Sequence, residues 1–195
     1  APPGHDGPRG GARREAGPRI LSVGLLAERK GHDVLIRALG RIADLDWTAE
    51  IVGKTHDPAV AARLAALIEA EGLTGRVTLA GEISDAALDT RFAEARLFAL
   101  ATRYEGYGMV LAEAMARGLP VVTCAAGAVP DTVGDGAILV PPDDPDAFGA
   151  AMRGLLTDAQ APHGDRVVRL VALHGDDRAH GDSAEVRDEV ERQRQ

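Results

Sequence analysis

The sequence predicts an α/β fold, a Rossmann-like doubly wound parallel sheet. Three observations carry that expectation. Short apolar runs of strand length alternate with longer segments of helical periodicity from Arg19 onward. Single helices between the runs imply right-handed crossovers and a parallel sheet covered on both faces. Proline and glycine stand where helices should begin and end, at Pro58, Gly72, Gly118 and Pro145.

In chain order, residues 20–23 read as the first strand. Residues 31–43 read as a helix, with Val34, Leu35, Ala38, Leu39 and Ile42 on one face. Residues 49–52 form a second strand and 58–71 a helix opened by Pro58 and stopped by Gly72. A third strand spans 77–80, and Ser84 serves as N-cap for a helix over 85–95. A fourth strand covers 97–100. The next helix starts near Gly108, sends Met109, Leu111, Ala112 and Met115 toward a core, and stops at Gly118 with Pro120 beyond. Val121 and Val122 begin a fifth strand. A short helix near Pro130, a strand over 137–140 and a helix over 145–156 complete the pattern. Residues 1–17 are rich in Gly, Pro and Arg and read as a linker or disordered arm. Residues 18–157 make up the predicted domain. Residues 158–195 read as a divergent, poorly ordered tail.

A chain of 195 residues suffices for one domain with its own core. Its net charge of -8, with no basic stripe, argues against nucleic acid as the main partner. The apolar runs are far short of a membrane span, and no segment has the make-up of a secretion signal. Cys124, the single cysteine, excludes an intramolecular disulfide and reads as a small core residue. These features lead us to expect a cytoplasmic protein.

Ligands of such sheets bind beyond the carboxyl ends of the strands. The loops on that edge carry Lys30, Lys54, Glu82 and Glu105, including both lysines of the chain. The segment from Glu105 to Glu113 is the most telling. Two carboxylates flank a Gly106-Tyr107-Gly108 bend that runs into a helix. Carboxylates accept from hydroxyls, and the unpaired N–H groups of a helix N-terminus favour phosphates. A nucleotide-sugar has both kinds of group. The plain alternative makes Glu105 a helix-start acid and Glu113 a solvated residue. His32 and His56 stand alone and read as surface or capping groups. No His/Cys cluster or Asp-x-Asp pair points to a metal.

The segment resembles the Glu-x7-Glu motif of the retaining glycosyltransferases of the group 1 type, which have the two-domain GT-B architecture. The stretch around Lys30 and Gly31, residues 77–83, the turn from Gly127 to Asp131 and the exit after Gly136 resemble other parts of that family in the same order. The resemblance implies a single C-terminal, donor-binding half of a GT-B glycosyltransferase. It would move a hexose from a nucleotide diphosphate-sugar to an acceptor, without metal or cofactor. On this likeness Glu105 and Lys30 are the catalytic groups. Glu105 would accept from sugar hydroxyls, and the backbone of Gly106, Tyr107, Gly108, Met109 and Val110 would cradle sugar and diphosphate. Glu113 would hold the ribose hydroxyls, Gly24 and Lys30 would face the diphosphate, and Glu82 and Ile83 would meet the base. An N-terminal acceptor domain is expected as partner.

One departure stands out. The family commonly has Gly-Arg-Leu where this chain reads Gly24-Leu25-Leu26. Leu25 cannot replace that cation, so donor binding should suffer unless Arg29 or Arg103 compensates; Arg103, just before the Glu105 bend, is the preferred candidate, the plain alternative being a solvated loop arginine. The departure leaves an alternative open, a non-catalytic nucleotide-binding module or a fragment without its acceptor domain.

Overall fold

A computed structural model describes residues 17–158. Apart from Gly17 and Asp158, the expected arm and tail lie outside the described residues. Six parallel strands make one sheet: β1 (Arg19–Val23), β2 (Thr48–Val52), β3 (Val77–Gly81), β4 (Leu97–Leu100), β5 (Val121–Cys124) and β6 (Ile138–Val140). Their spatial order is β3-β2-β1-β4-β5-β6. The chain leaves β1 outward in one direction and returns to β4 to build the other, so the topological switch point lies between β1 and β4.

Helices α1 (His32–Gly40), α2 (Pro58–Ala70) and α6 (Pro145–Thr157) cover one face, and α3 (Asp85–Glu94), α4 (Met109–Ala116) and α5 (Val129–Val133) the other. Each face has its own core. On the first, Val34, Leu35, Ala38 and Leu39 meet Ile20, Ile51, Phe148 and Met152. On the second, Phe92, Leu111, Ala114 and Val129 meet Leu21, Phe98 and Val121. The alternation follows from the strand period of two, with Ile20 and Leu21 serving opposite faces. Strands β4 and β5 are buried on both faces; β4 is apolar throughout, and the one hydroxyl of β5, on Thr123, donates to the Leu100 carbonyl at 2.9 Å.

The punctuation behaves as its chemistry requires. Asp57, Ser84 and Asp144 each accept a backbone N–H at the start of α2, α3 and α6. Helix α4 closes in a Schellman motif, with Leu119 N–H on the Ala114 carbonyl (3.1 Å) and Gly118 N–H on Met115 (2.9 Å).

Three expectations need correction. The helix expected over 31–43 is shorter, and a 3-10 turn, Glu28–Lys30, precedes it. Helix α4 buries Leu111 and Ala114, while Met109 is 78% exposed and Ala112 is exposed too. Its sequence is apolar on nearly every side, so no polar stripe marks the outer face. His32 is a core residue, 2% exposed.

Candidate functional site

The site is built where the loops after β1 and β4 meet at the switch point. Three donors of the β4 loop converge on one acceptor in the β1 loop. Arg103 N–H (2.8 Å), Tyr104 N–H (3.4 Å) and the Thr102 hydroxyl (3.1 Å) all donate to the Arg29 carbonyl. Gly31 makes this approach possible. It turns at φ 63°, and a β-carbon there would lie 1.9 Å from the Ala101 carbonyl oxygen. Any side chain would drive the loops apart.

This stitching sets Lys30 against Glu105. The ammonium donates to the Glu105 carboxylate, and the two side chains are only 9% and 12% exposed. Gly24 lies along the Lys30 stem, where a β-carbon would come within 3.3 Å of Cδ. Glu105 is supported from the other side by the turn before α5. Ala128 N–H donates to the Glu105 carbonyl at 2.9 Å. Gly127, at φ 59°, permits that contact, since a β-carbon would sit 2.4 Å from the same oxygen. Burial pushes the Glu105 carboxyl up. The bond and charge of Lys30, the Gly108 N–H and the charge of Arg29 outweigh it and hold the group below the usual carboxylate range. Glu105 is therefore an ionised acceptor at neutral pH.

Gly108 caps α4 from a left-handed conformation. Met109 and Val110 are the first two residues of α4, so their N–H groups have no acceptor within the helix. Gly106 and Tyr107 form the exposed rim, Tyr107 being 83% exposed. Val110 is half-buried against the second core. Glu113 is exposed one turn along the helix, where it accepts from Arg117 (2.9 Å), which also bonds Asp89 (2.6 Å). Arg117 stands four residues after Glu113, the helical spacing at which such a pair is visible in the sequence.

The structure thus brings together Gly24, Lys30, Glu105 and the Gly106–Val110 bend. Glu82 and Ile83 follow β3, at the far end of the same sheet edge. Among the described residues no hydrogen bond or ion pair links them to Lys30 or Glu105. Arg103 is held by partners within the protein. Its guanidinium is engaged by Asp33, Asp143 and the Glu28 carbonyl, not turned toward the α4 tip. Sequence could not show this, because the two acids lie 70 and 40 positions away. Arg29 is exposed, and among the described residues its guanidinium has no ion-pair partner.

An ionised carboxylate, a buried ammonium and the free N–H groups of a helix start thus meet at the switch point of an α/β sheet. Residues 17–158 match the family model described as Glycosyl transferases group 1, and the chain belongs to that family. It is 33% identical over 159 residues to a D-inositol 3-phosphate glycosyltransferase of Mycobacterium avium (strain 104), a match spanning 80% of this chain and 37% of that protein. It is similar to Anabaena HepE solved in complex with UDP-glucose, with 26% identity and a TM-score of 0.71 over 77% of this chain and 42% of that one. The C-terminal domain of a group 1 family glycosyl transferase (LpcC) from Francisella tularensis shares the fold, with a TM-score of 0.68 and 24% identity over 80% of this chain and 85% of that one. The chain spans about a third of the length of the curated relatives it matches. Its fold is that of one half of the GT-B architecture. Among the described residues no helix is long and apolar enough to cross a membrane.

Proposed function

We propose that this chain is the donor-binding half of a retaining, metal-independent glycosyltransferase that moves a hexose from a nucleotide diphosphate-sugar to an acceptor held by a second domain. The observation that carries the reading is the Lys30–Glu105 pair beside the open tip of α4. HepE, solved with UDP-glucose, supports the donor class.

On this reading the pair parts when the donor arrives. Lys30 turns to the diphosphate and offsets the charge that grows on the leaving group. Glu105 accepts from hydroxyls of the sugar, and the N–H groups of Met109 and Val110 meet phosphate oxygens. Glu113 exchanges Arg117 for the ribose hydroxyls. The base lies along the edge toward Glu82 and Ile83. Arg29, whose charge already reaches Glu105, supplies the cation that Leu25 does not. These cations and the helix tip neutralise the diphosphate without a metal or cofactor. An acceptor domain closes the cleft and excludes water.

The test is a calorimetric titration of the chain with UDP, GDP and ADP and with their hexose conjugates. One nucleotide class is expected to bind. Lys30→Ala and Arg29→Ala should each weaken it by about 1.5–3 kcal/mol, the worth of a charge-assisted bond. Glu105→Gln should weaken the nucleotide-sugar and spare the bare nucleotide. Equal loss of both by Glu105→Gln would remove Glu105 from the sugar.

A further inference from the structure

We infer that Arg103 is a positioning residue: its guanidinium fastens three loops at the carboxyl edge of the sheet and thereby holds Lys30 against Glu105. The inference rests on the donor-binding reading for its functional meaning.

Arg103 lies two residues before Glu105. Its Nη1 and Nη2 donate to the two carboxylate oxygens of Asp33, both at 2.8 Å, a bidentate pair. Nη1 also donates to the Glu28 carbonyl at 2.7 Å, and Nε to Asp143 at 2.6 Å. Glu28 and Asp33 bracket Lys30 in the loop and first turn after β1. Asp143 belongs to the turn between β6 and α6. One side chain therefore ties the Lys30 loop, the Glu105 loop and the last turn of the sheet edge.

The backbone repeats the connection, since Arg103 N–H bonds the Arg29 carbonyl next to Lys30. Among the described residues Asp143 alone combines a side chain with a positive φ, 58°. Asp tolerates that left-handed conformation in a turn, and from it the carboxylate meets Arg103 Nε. With four donations committed, the guanidinium has one N–H left. It acts through Lys30 and Glu105, not on the diphosphate. A lysine has no planar fork with which to make these bonds.

Direct contact and positioning make opposite forecasts for Asp33→Asn. If Arg103 touched the diphosphate, releasing it from Asp33 would tighten UDP binding or leave it unchanged. If Arg103 positions Lys30, Asp33→Asn must weaken binding as Arg103→Ala does. We would titrate UDP into Arg103→Ala, Arg103→Lys, Asp33→Asn and the Asp33→Asn/Arg103→Ala double variant. In parallel, carbon-13 NMR would follow the pH titration of the Glu105 carboxyl. Each single variant is expected to bind UDP about ten-fold more weakly, and the double variant no worse than either, because the residues act as a unit. Arg103→Lys should not rescue. The Glu105 titration should move to higher pH in Asp33→Asn and Arg103→Ala. It should not move in Arg153→Ala, which breaks a bidentate pair with Asp44 (2.8 and 2.6 Å) far from the site. Unweakened UDP binding in Asp33→Asn, or an unmoved Glu105 titration, overturns the inference. Should Arg103→Ala fail to fold, Asp33→Asn carries both readouts. A wild-type chain that binds no UDP excludes uridine as the base of the donor, and the Glu105 titration then decides the role of Arg103 alone.

Discussion

Lys30 is one of two lysines in the chain and is 7% exposed. Burying an ammonium with a carboxylate costs several kcal/mol per ion before their attraction returns it. The pair with Glu105 is thus a poor stabilising device and a good ligand site in waiting, since an incoming phosphate and hydroxyls restore both partners' interactions. His32 behaves differently. Its Nε2 donates to the Leu25 carbonyl at 3.2 Å, and its buried Nδ1 has no partner among the described residues. Burial lowers its pKa from the ordinary 6.5, aided by the charge of Lys30, although the Leu25 and Gly24 carbonyls and Asp33 pull the other way. The unfolded chain therefore binds a proton that the folded chain refuses. The stability this gives is complete above the ordinary value and is lost as pH falls through the folded one. Thermal unfolding followed from about pH 7.5 to about pH 5.5 should show a falling midpoint, and His32→Gln should flatten the slope. A slope unchanged by that substitution would assign the acid sensitivity elsewhere. Cys124 is the inert counterpart, a thiol pushed up to about 12 by burial.

Among the elements, the turn between α1 and β2 is held by a cation that immediately precedes β3. Arg76 donates to the carbonyls of Ala43 (2.6 Å), Leu45 (2.6 Å) and Trp47 (3.2 and 3.3 Å), and its guanidinium lies 3.8 Å from the Trp47 ring centroid. Trp47 in turn donates to the Ile42 carbonyl at 2.7 Å. The side chain thus pins the end of α1 and the start of β2 to β3. Arg76→Ala is expected to cost about 1.5–3 kcal/mol, read as a lower urea midpoint in the fluorescence of the single tryptophan. A loss below about 0.5 kcal/mol would class Arg76 with ordinary surface residues. Elements of this kind were legible wherever local chemistry decides them. Pro58, Ser84, Gly118 and Pro145 mark helix ends because capping needs only near neighbours. The 3-10 turn at 28–30 was not legible, since three residues have no period. Nor was the outward face of α4, whose apolar residues outnumber what its core accepts.

For the whole molecule, the strand order β3-β2-β1-β4-β5-β6 puts the loops of β1 and β4 side by side. That placement makes a site from residues 75 positions apart. The sequence announced the ingredients, Lys30, Glu105 and the glycine bend, because each belongs to a short motif. It concealed what fastens them. Arg103, Asp33 and Asp143 look like scattered charges until the sheet closes and brings them into contact. Leu25 (39%), Tyr104 (60%), Tyr107 and Met109 are large hydrophobic side chains left exposed, and on the proposed reading a second domain would cover them. The central claim is that the tip of α4 beside Lys30 and Glu105 receives the diphosphate. The most direct measurement is a nitrogen-15 NMR titration of the chain with the nucleoside diphosphate that calorimetry selects. Saturable shifts are expected to concentrate on the amides of Gly108, Met109 and Val110 and on the Lys30 loop, and to be abolished by Lys30→Ala. Saturable shifts that leave those amides untouched would contradict it.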